Sequence, residues 1–336
     1  MPILGWFLVC FAVVLGLLAA GWKIRWAWKA VLAGVSVGLG GVALCTLGFQ
    51  DYGWTLFVVL PIALGFLTSA LVLEVKRSAD MRCLAAALGL VFGFVAVGLV
   101  LFGLEGLVCL AMAAPLVFPL ALLGAWAGLK DYDRRRVPAA PTVSMLALLL
   151  PFSLGLGLDR TLAPLPALHA VRTAVAVDAP PERVWRHVLS FPQLAPPRDL
   201  LFRAGIAYPI RAEISGRGAG AVRRCIFSTG AFVEPIVAWD EPRLLRFTVR
   251  ESPPALIELS PYSIHPPHVA TCLRSREGQF LLTRLPGNRT LLAGTTWYQD
   301  ALQPAAYWRW WSDPILHRIH RRVLDEIKLR AEADRG

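Results

Sequence analysis

The chain has 336 residues, 56% of them hydrophobic, with 34 Lys and Arg against 23 Asp and Glu and a formal net charge of +11. Its apolar character is concentrated in the first half, which separates a lipid-facing part from a water-facing one. The basic residues are scattered, which speaks against nucleic acid as a partner, and no P-loop, Rossmann glycine pattern, CxxC pair or Ser-His-Asp order is present.

Six stretches free of Asp, Glu, Lys and Arg run through 3–22, 30–49, 54–73, 83–104, 107–128 and 140–158. Each is close to the ~20 residues that cross a hydrocarbon core. The first loop between them holds Lys23, Arg25 and Lys29, the third Lys76, Arg77 and Arg82, and the fifth Lys130, Arg134, Arg135 and Arg136. The second offers Asp51 and the fourth Glu105. Because Lys and Arg resist translocation, loops one, three and five are expected in the cytoplasm, with everything beyond Asp159 exported. That reading describes a multi-pass protein of a bacterial inner membrane with a periplasmic C-terminal part. No positively charged segment precedes the first stretch, which is therefore read as a helix and not as a cleaved signal peptide.

Trp6, Trp22, Trp26, Trp28, Trp54 and Trp126 fall near span ends, where an amphipathic indole is favoured. Gly34 with Gly38, and Gly89 with Gly93, have the spacing that lets helices approach closely. No ionisable residue lies inside a span, which argues against an ion channel, a pump or a proton-coupled transporter. Four of the six cysteines, Cys10, Cys45, Cys83 and Cys109, sit in apolar spans as small hydrophobes. Cys225 and Cys272 are the two that an oxidising compartment would let pair.

The expected organisation is a six-helix domain over 1–160, a linker over 161–168 and a soluble domain over 169–336. Beyond residue 158 there are 24 basic against 17 acidic residues, a surplus of seven that suits an anionic membrane surface. Residues 170–177 alternate like a half-buried strand. Asp178-Ala-Pro-Pro-Glu182 then stops the strand and opens a helix with Val184, Trp185, Val188 and Leu189 on one face. Further strands are expected at 210–215, 219–229, 231–238, 243–250, 278–285 and 289–299, with turns at 216–220, 239–242 and 286–288. An amphipathic helix from about Pro304 to Ala333 carries Trp308, Trp311, Ile315, Ile319, Val323 and Ile327 on its apolar side, and Asp313-Pro314 is expected to kink or divide it. The fold class is thus a multi-pass α-helical membrane bundle followed by an α+β domain whose antiparallel sheet wraps a long C-terminal helix around an apolar cavity.

The run D-A-P-P-E-R-V-W at 178–185, the G-x-G at 218–220 leading into R-x-C-x-F-S-T-G at 223–230, and the terminal amphipathic helix resemble the SRPBCC superfamily. That group includes the START lipid-transfer and polyketide cyclase-like domains. The segments at 227–236, 260–268 and 307–320 are similar to a membrane-anchored bacterial subgroup of it. The resemblance covers about 169–333 and implies a helix-grip fold with a cavity between sheet and C-terminal helix; it does not imply a reaction.

Candidate acid–base groups are Glu234, His265, His268 and His320, since a carboxyl or imidazole beside an apolar cavity can have its pKa moved towards neutrality. Glu234 needs a buried partner such as Arg223 or Arg274, and the pair would serve equally to hold strands in register. Phe227, Phe232, Tyr262, Trp297, Tyr298, Trp308, Trp311, Ile315 and Ile319 are the expected ligand-binding side chains. The close pairs His265/His268 and His317/His320 raise the possibility of a metal, but only one histidine of the helical pair clearly faces the apolar side, so no metal and no cofactor is expected. Trp310, off the apolar stripe, is the candidate for a rim or membrane-interface contact. The expected partners are the membrane and a hydrophobic small molecule or lipid. The leading expectation is a binding module for that molecule, and the alternative is a cyclase-, dehydratase- or hydrolase-type enzyme acting on it.

Overall fold

The protein is described by a computed structural model that covers residues 27–135, 141–162, 167–260, 262–266, 268–269 and 272–334. It divides into two compact units, one holding the chain to Pro164 together with Glu258–Pro267, the other Leu165–Ile257 with His268–Gly336.

The first unit is helical. Helix α1 (Trp28–Ala43) runs on as a π-helical turn, Leu44–Phe49, and a second such turn, Thr55–Val59, opens α2 (Leu60–Val75). Helices α3 (Met81–Leu101), α4 (Leu107–Arg135) and α5 (Pro141–Leu162) follow. Among the described residues four stretches, Trp28–Phe49, Thr55–Val75, Met81–Leu101 and Leu107–Arg135, are long and apolar enough to cross a membrane. They match the second to fifth expected spans. The first expected span lies outside the described residues, and the sixth is α5.

Apolar burial does not drive helices together in lipid, so close backbone approach must. A Cβ on Gly65 would lie 1.8 Å from the carbonyl oxygen of Ala121, and one on Gly124 2.0 Å from that of Ile62, so α2 and α4 touch backbone to backbone. Gly34 and Gly38 receive Val91 and Val95 of α3, whereas Gly89 faces no atom of another described element within 4 Å. Pro115, Pro119 and Pro151 are accommodated inside continuous helices.

The two basic-free loops of this unit are tied down by side chains distant in sequence. The Asp159 carboxylate accepts from the backbone N–H groups of Trp54 (3.2 Å) and Thr55 (2.8 Å), capping the turn that opens α2. Glu258 does the same at the start of α4, accepting from Val108 (3.2 Å) and Cys109 (3.3 Å). The Tyr262 hydroxyl donates to the Val100 carbonyl at 2.7 Å. Glu105 is buried near Glu258, and burial, then that neighbouring carboxylate, pushes it up to about 8.

The second unit is α+β. Strands β1 (Leu168–Val177), β2 (Pro209–Ser215), β3 (Val222–Phe227), β4 (Gly230–Asp240), β5 (Leu244–Thr248), β6 (Leu273–Leu285) and β7 (Arg289–Asp300) form one antiparallel sheet in the order β1-β7-β6-β5-β4-β3-β2. Helices α6 (Pro181–Leu189) and α7 (Leu200–Arg203) connect β1 to β2, and α8 (Ala305–Ala333) closes the chain. Pro180 precedes α6 in extended conformation and Pro181 begins it, where the missing N–H is no loss. The helix buries Val184, Trp185 and Val188. At the β6–β7 corner Gly287 and Asn288 both take positive φ, which suits a tight hairpin connection.

Helix α8 is continuous through Pro314, so the proline does not divide it into two segments. The proline leaves the Trp310 carbonyl without its usual intrahelical donor, but Pro314 and Trp310 both lie on the exposed side, where solvent can serve that group. Leu324, Ile327 and Ala331 of α8 pack with Trp185, Leu245, Leu282 and Leu292 in one core. A curled antiparallel sheet gripping a long C-terminal helix is the helix-grip, START-like topology.

Candidate functional site

Period-two alternation places a set of side chains from five strands on the face that looks towards α8. Strand β3 contributes Arg223, Cys225 and Phe227, and β4 contributes Phe232 and Glu234. Phe247, Phe280 and Thr296 come from β5, β6 and β7. Opposite them α8 presents Leu316, Ile319, His320, Val323 and Leu324, and the two surfaces line a partly open cavity of about 110 Å³. A Cβ on Gly278 would sit 2.5 Å from the Phe247 ring, so glycine there leaves room for that ring. A second hollow, about 570 Å³, is an open groove between α8 and the 197–202 segment, lined by Arg198, Arg318, Arg321 and Arg322 with Asp199 and Glu326. Charged walls open to solvent do not suit an apolar ligand.

Arg223 and Glu234 stand opposite each other in register and form an ion pair, with 2% and 8% of their side chains exposed. The guanidinium also faces the rings of Phe191, Phe247 and Phe280, 5.7, 5.7 and 5.4 Å from their centroids. Among the described residues its Nε has no hydrogen-bond partner. Burial raises the Glu234 carboxyl above the usual carboxylate range, and Arg223 opposes that rise. Burial pushes the neighbouring Cys225 thiol up to about 12, so it stays protonated.

Two histidines of α8 and two threonines of β1 and β7 form one polar cluster, of which His320 and Thr296 line the cavity. The Thr173 hydroxyl of β1 lies 2.8 Å from Nδ1 of His317 and 3.0 Å from Nδ1 of His320. Nε2 of His320 lies 2.8 Å from the Thr296 hydroxyl of β7. Burial, then the neighbouring His317, lowers His320 to about 4, so the ring is neutral at physiological pH.

Of the expected acid–base residues, Glu234 and His320 thus line the same cavity. His265 lies in the Glu258–Pro267 segment, which belongs to the helical unit, as does Tyr262. His268 belongs to the sheet unit but does not line the cavity, and burial lowers it to about 4. Among the expected ligand-binding residues Phe227, Phe232 and Ile319 line the cavity; Trp297, Tyr298, Trp308, Trp311 and Ile315 do not. Trp297 follows Thr296 and so points to the opposite face, where the Arg246 guanidinium lies 5.4 Å from its ring centre. Tyr298 shares the face of Thr296 but is engaged beyond the cavity, bonded to Ser312 (2.8 Å) and Asp313 (2.6 Å). Trp308 is buried at the start of α8 and its indole N–H donates to the Gln303 carbonyl at 3.4 Å. Trp310 is 69% exposed. Cys225 is a buried free thiol, so it is not bridged to Cys272.

Thr173, Thr296 and Leu316 were not signalled by residue type. Thr173 carries its message only through strand parity, since it shares a face with Val171 and Val175.

No family model matches the chain, and no curated protein matches it. Solved structures do align with it over about half its length. The Zhui aromatase/cyclase from Streptomyces sp. R1128 is 18% identical, with 49% of this chain and 94% of that one covered and a TM-score of 0.32. Norcoclaurine synthase from Thalictrum flavum, in complex with dopamine and hydroxybenzaldehyde, is 12% identical over 51% and 90%, with a TM-score of 0.34. A protein from Nitrosospira multiformis is 18% identical over 48% and 94%, with a TM-score of 0.31. At these levels the fold statement rests on the sheet order and α8 themselves.

Proposed function

We propose that the sheet unit is an acid–base enzyme of the cyclase or dehydratase type, holding the apolar end of a hydrophobic small molecule between β3–β7 and α8. The observation that carries this reading is that Glu234 and His320, with Arg223, line one apolar cavity. Such a cavity needs polar groups only if they orient or change what enters it. A passive lipid carrier is less well supported, since about 110 Å³ is well below the ~300–1,000 Å³ of usual ligand pockets. The cavity suits one aromatic ring of a larger molecule whose remainder lies outside, the size of guest that an apolar cavity near ~150 Å³ admits.

The test uses 2-naphthol, an apolar ring system with one acidic hydroxyl, titrated by fluorescence into the detergent-purified full chain. Saturable binding that Ile319→Trp abolishes is the expected result. Absence of binding, together with no aromatic compound co-purifying by mass spectrometry, would count decisively against it.

We further propose that the helical unit spans a bacterial inner membrane, with the sheet unit on the periplasmic side. Support comes from the charge pattern: Lys76, Arg77 and Arg82 follow α2, and Lys130, Arg134 and Arg135 end α4, whereas the loops contacted by Asp159, Glu258 and Tyr262 are free of Lys and Arg. An alkaline phosphatase reporter fused after Gly336 should be active, and a fluorescent protein that folds only in the cytosol should be dark. The reverse pattern overturns the orientation.

A further inference from the structure

We propose that His317, Thr173, His320 and Thr296 form a proton relay that joins the cavity wall to the exposed face of α8. The inference rests on the acid–base reading of the cavity and names the route by which its proton leaves. Its basis is geometric. The Thr173 hydroxyl has one proton and two ring nitrogens within 2.8 and 3.0 Å, so it donates to one imidazole and accepts from the other. His320 then passes the direction on: if Nδ1 bears its proton, Nε2 accepts from Thr296 at 2.8 Å, and if Nε2 bears it, Thr296 accepts. Thr173 and His320 each have one neighbour on either side, and Thr296 and His317 are the two ends. Thr296 and His320 line the cavity, and His317 at the other end is exposed.

With His320 protonated on Nδ1 the chain runs outward. A ligand O–H donating to Thr296 Oγ1 breaks as that oxygen gains its proton and releases its own to His320 Nε2. His320 releases its Nδ1 proton to Thr173 Oγ1, which gives its own to Nδ1 of His317. The ligand is left as an oxyanion, and His317, now an imidazolium, returns to neutral by giving its Nε2 proton to solvent. Arg223 lines the same cavity, where its positive charge favours such an oxyanion, while Glu234 and Glu277, on the same walls, oppose it. The neutral state of the buried His320 suits a relay, because a ring already holding two protons cannot accept another.

The experiment needs no ligand. The full chain, labelled with ¹⁵N-histidine, has only six histidines to resolve, and His320→Gln assigns the ring in question. Exchange of the His320 ring proton with water is measured in the wild type and in Thr173→Val, which keeps the shape and removes the hydroxyl. A slowing of about tenfold or more, equivalent to about 1.4 kcal/mol of barrier, is expected, with Thr173→Ser restoring the rate. His317→Gln, an exposed substitution, should slow exchange similarly and serves if the valine variant does not fold. Unchanged exchange in both variants overturns the relay. Naphthol binding with unchanged exchange would sink the relay alone, whereas slowed exchange without naphthol binding would sink the cavity reading and leave the relay standing.

Discussion

Arg223 and Glu234 are cross-strand partners on β3 and β4, and their ion pair is sealed between the sheet and α8. A buried pair of this kind adds little net stability, because desolvating two charges offsets most of their attraction, yet breaking it strands a charge. Glu234→Ala should therefore destabilise the protein by about 3–5 kcal/mol. The double replacement Arg223→Met with Glu234→Leu should recover most of that loss and abolish activity. Denaturant unfolding in detergent measures the first effect, and turnover of a bound substrate the second.

Gly278 stands opposite Phe247 in register, and the Phe247 ring occupies the space a Cβ would need. In Gly278→Ala the ring must move, and the space available to it is the cavity. The expected cost is about 1–3 kcal/mol, typical of an overfilled core. Naphthol binding should weaken in parallel, which a titration of the variant would reveal; unaltered binding would mean the ring does not border the ligand.

His320 gives a signed pH effect. Its folded pKa is lowered from 6.5 to about 4, so its contribution is fully present above pH 6.5 and is lost as pH falls towards 4, where the unfolded chain binds a proton that the folded chain refuses. The stability difference between wild type and His320→Gln should grow with pH across that window by up to about 3 kcal/mol. Asp300 provides a control of opposite sign, since burial raises it from 3.8 to about 6 and its contribution is lost as pH rises through 6. Asp300→Asn should flatten that opposing slope. Thermal unfolding between pH 4 and 7 decides both.

Much of the sheet is legible because its strands alternate and its turns carry glycine, proline and asparagine, so all seven strands fall where periodicity puts them. The first residues of β6, Leu273–Glu277, are hidden by Arg274, Arg276 and Glu277, which keep the alternation but lack its apolar half. The cavity-facing side of α8 is shifted from the stripe through Ile315 to one through Leu316, His320 and Leu324, because the curled sheet covers a wider arc of the helix than a single apolar ridge. Nothing periodic announces that Glu258–Pro267 joins the helical unit. That docking depends on one carboxylate capping α4 and one tyrosine hydroxyl reaching a backbone carbonyl, contacts that sequence spacing does not encode.

The tightest joint of the helical unit also carries a prediction, because Gly65 and Gly124 meet backbone atoms and not side chains that could rotate away. Gly65→Ala must part α2 from α4, and the expected loss is about 1–3 kcal/mol or more, even though alanine is the better helix former. Gly89→Ala is the matched control: apart from its own helix backbone, no atom of the described residues lies within 4 Å of the added methyl, so stability should hold or rise slightly. Steric-trap or detergent unfolding of the two variants compares them directly. Equal stability of both would show that the α2–α4 contact is looser in the membrane than a backbone-to-backbone approach requires.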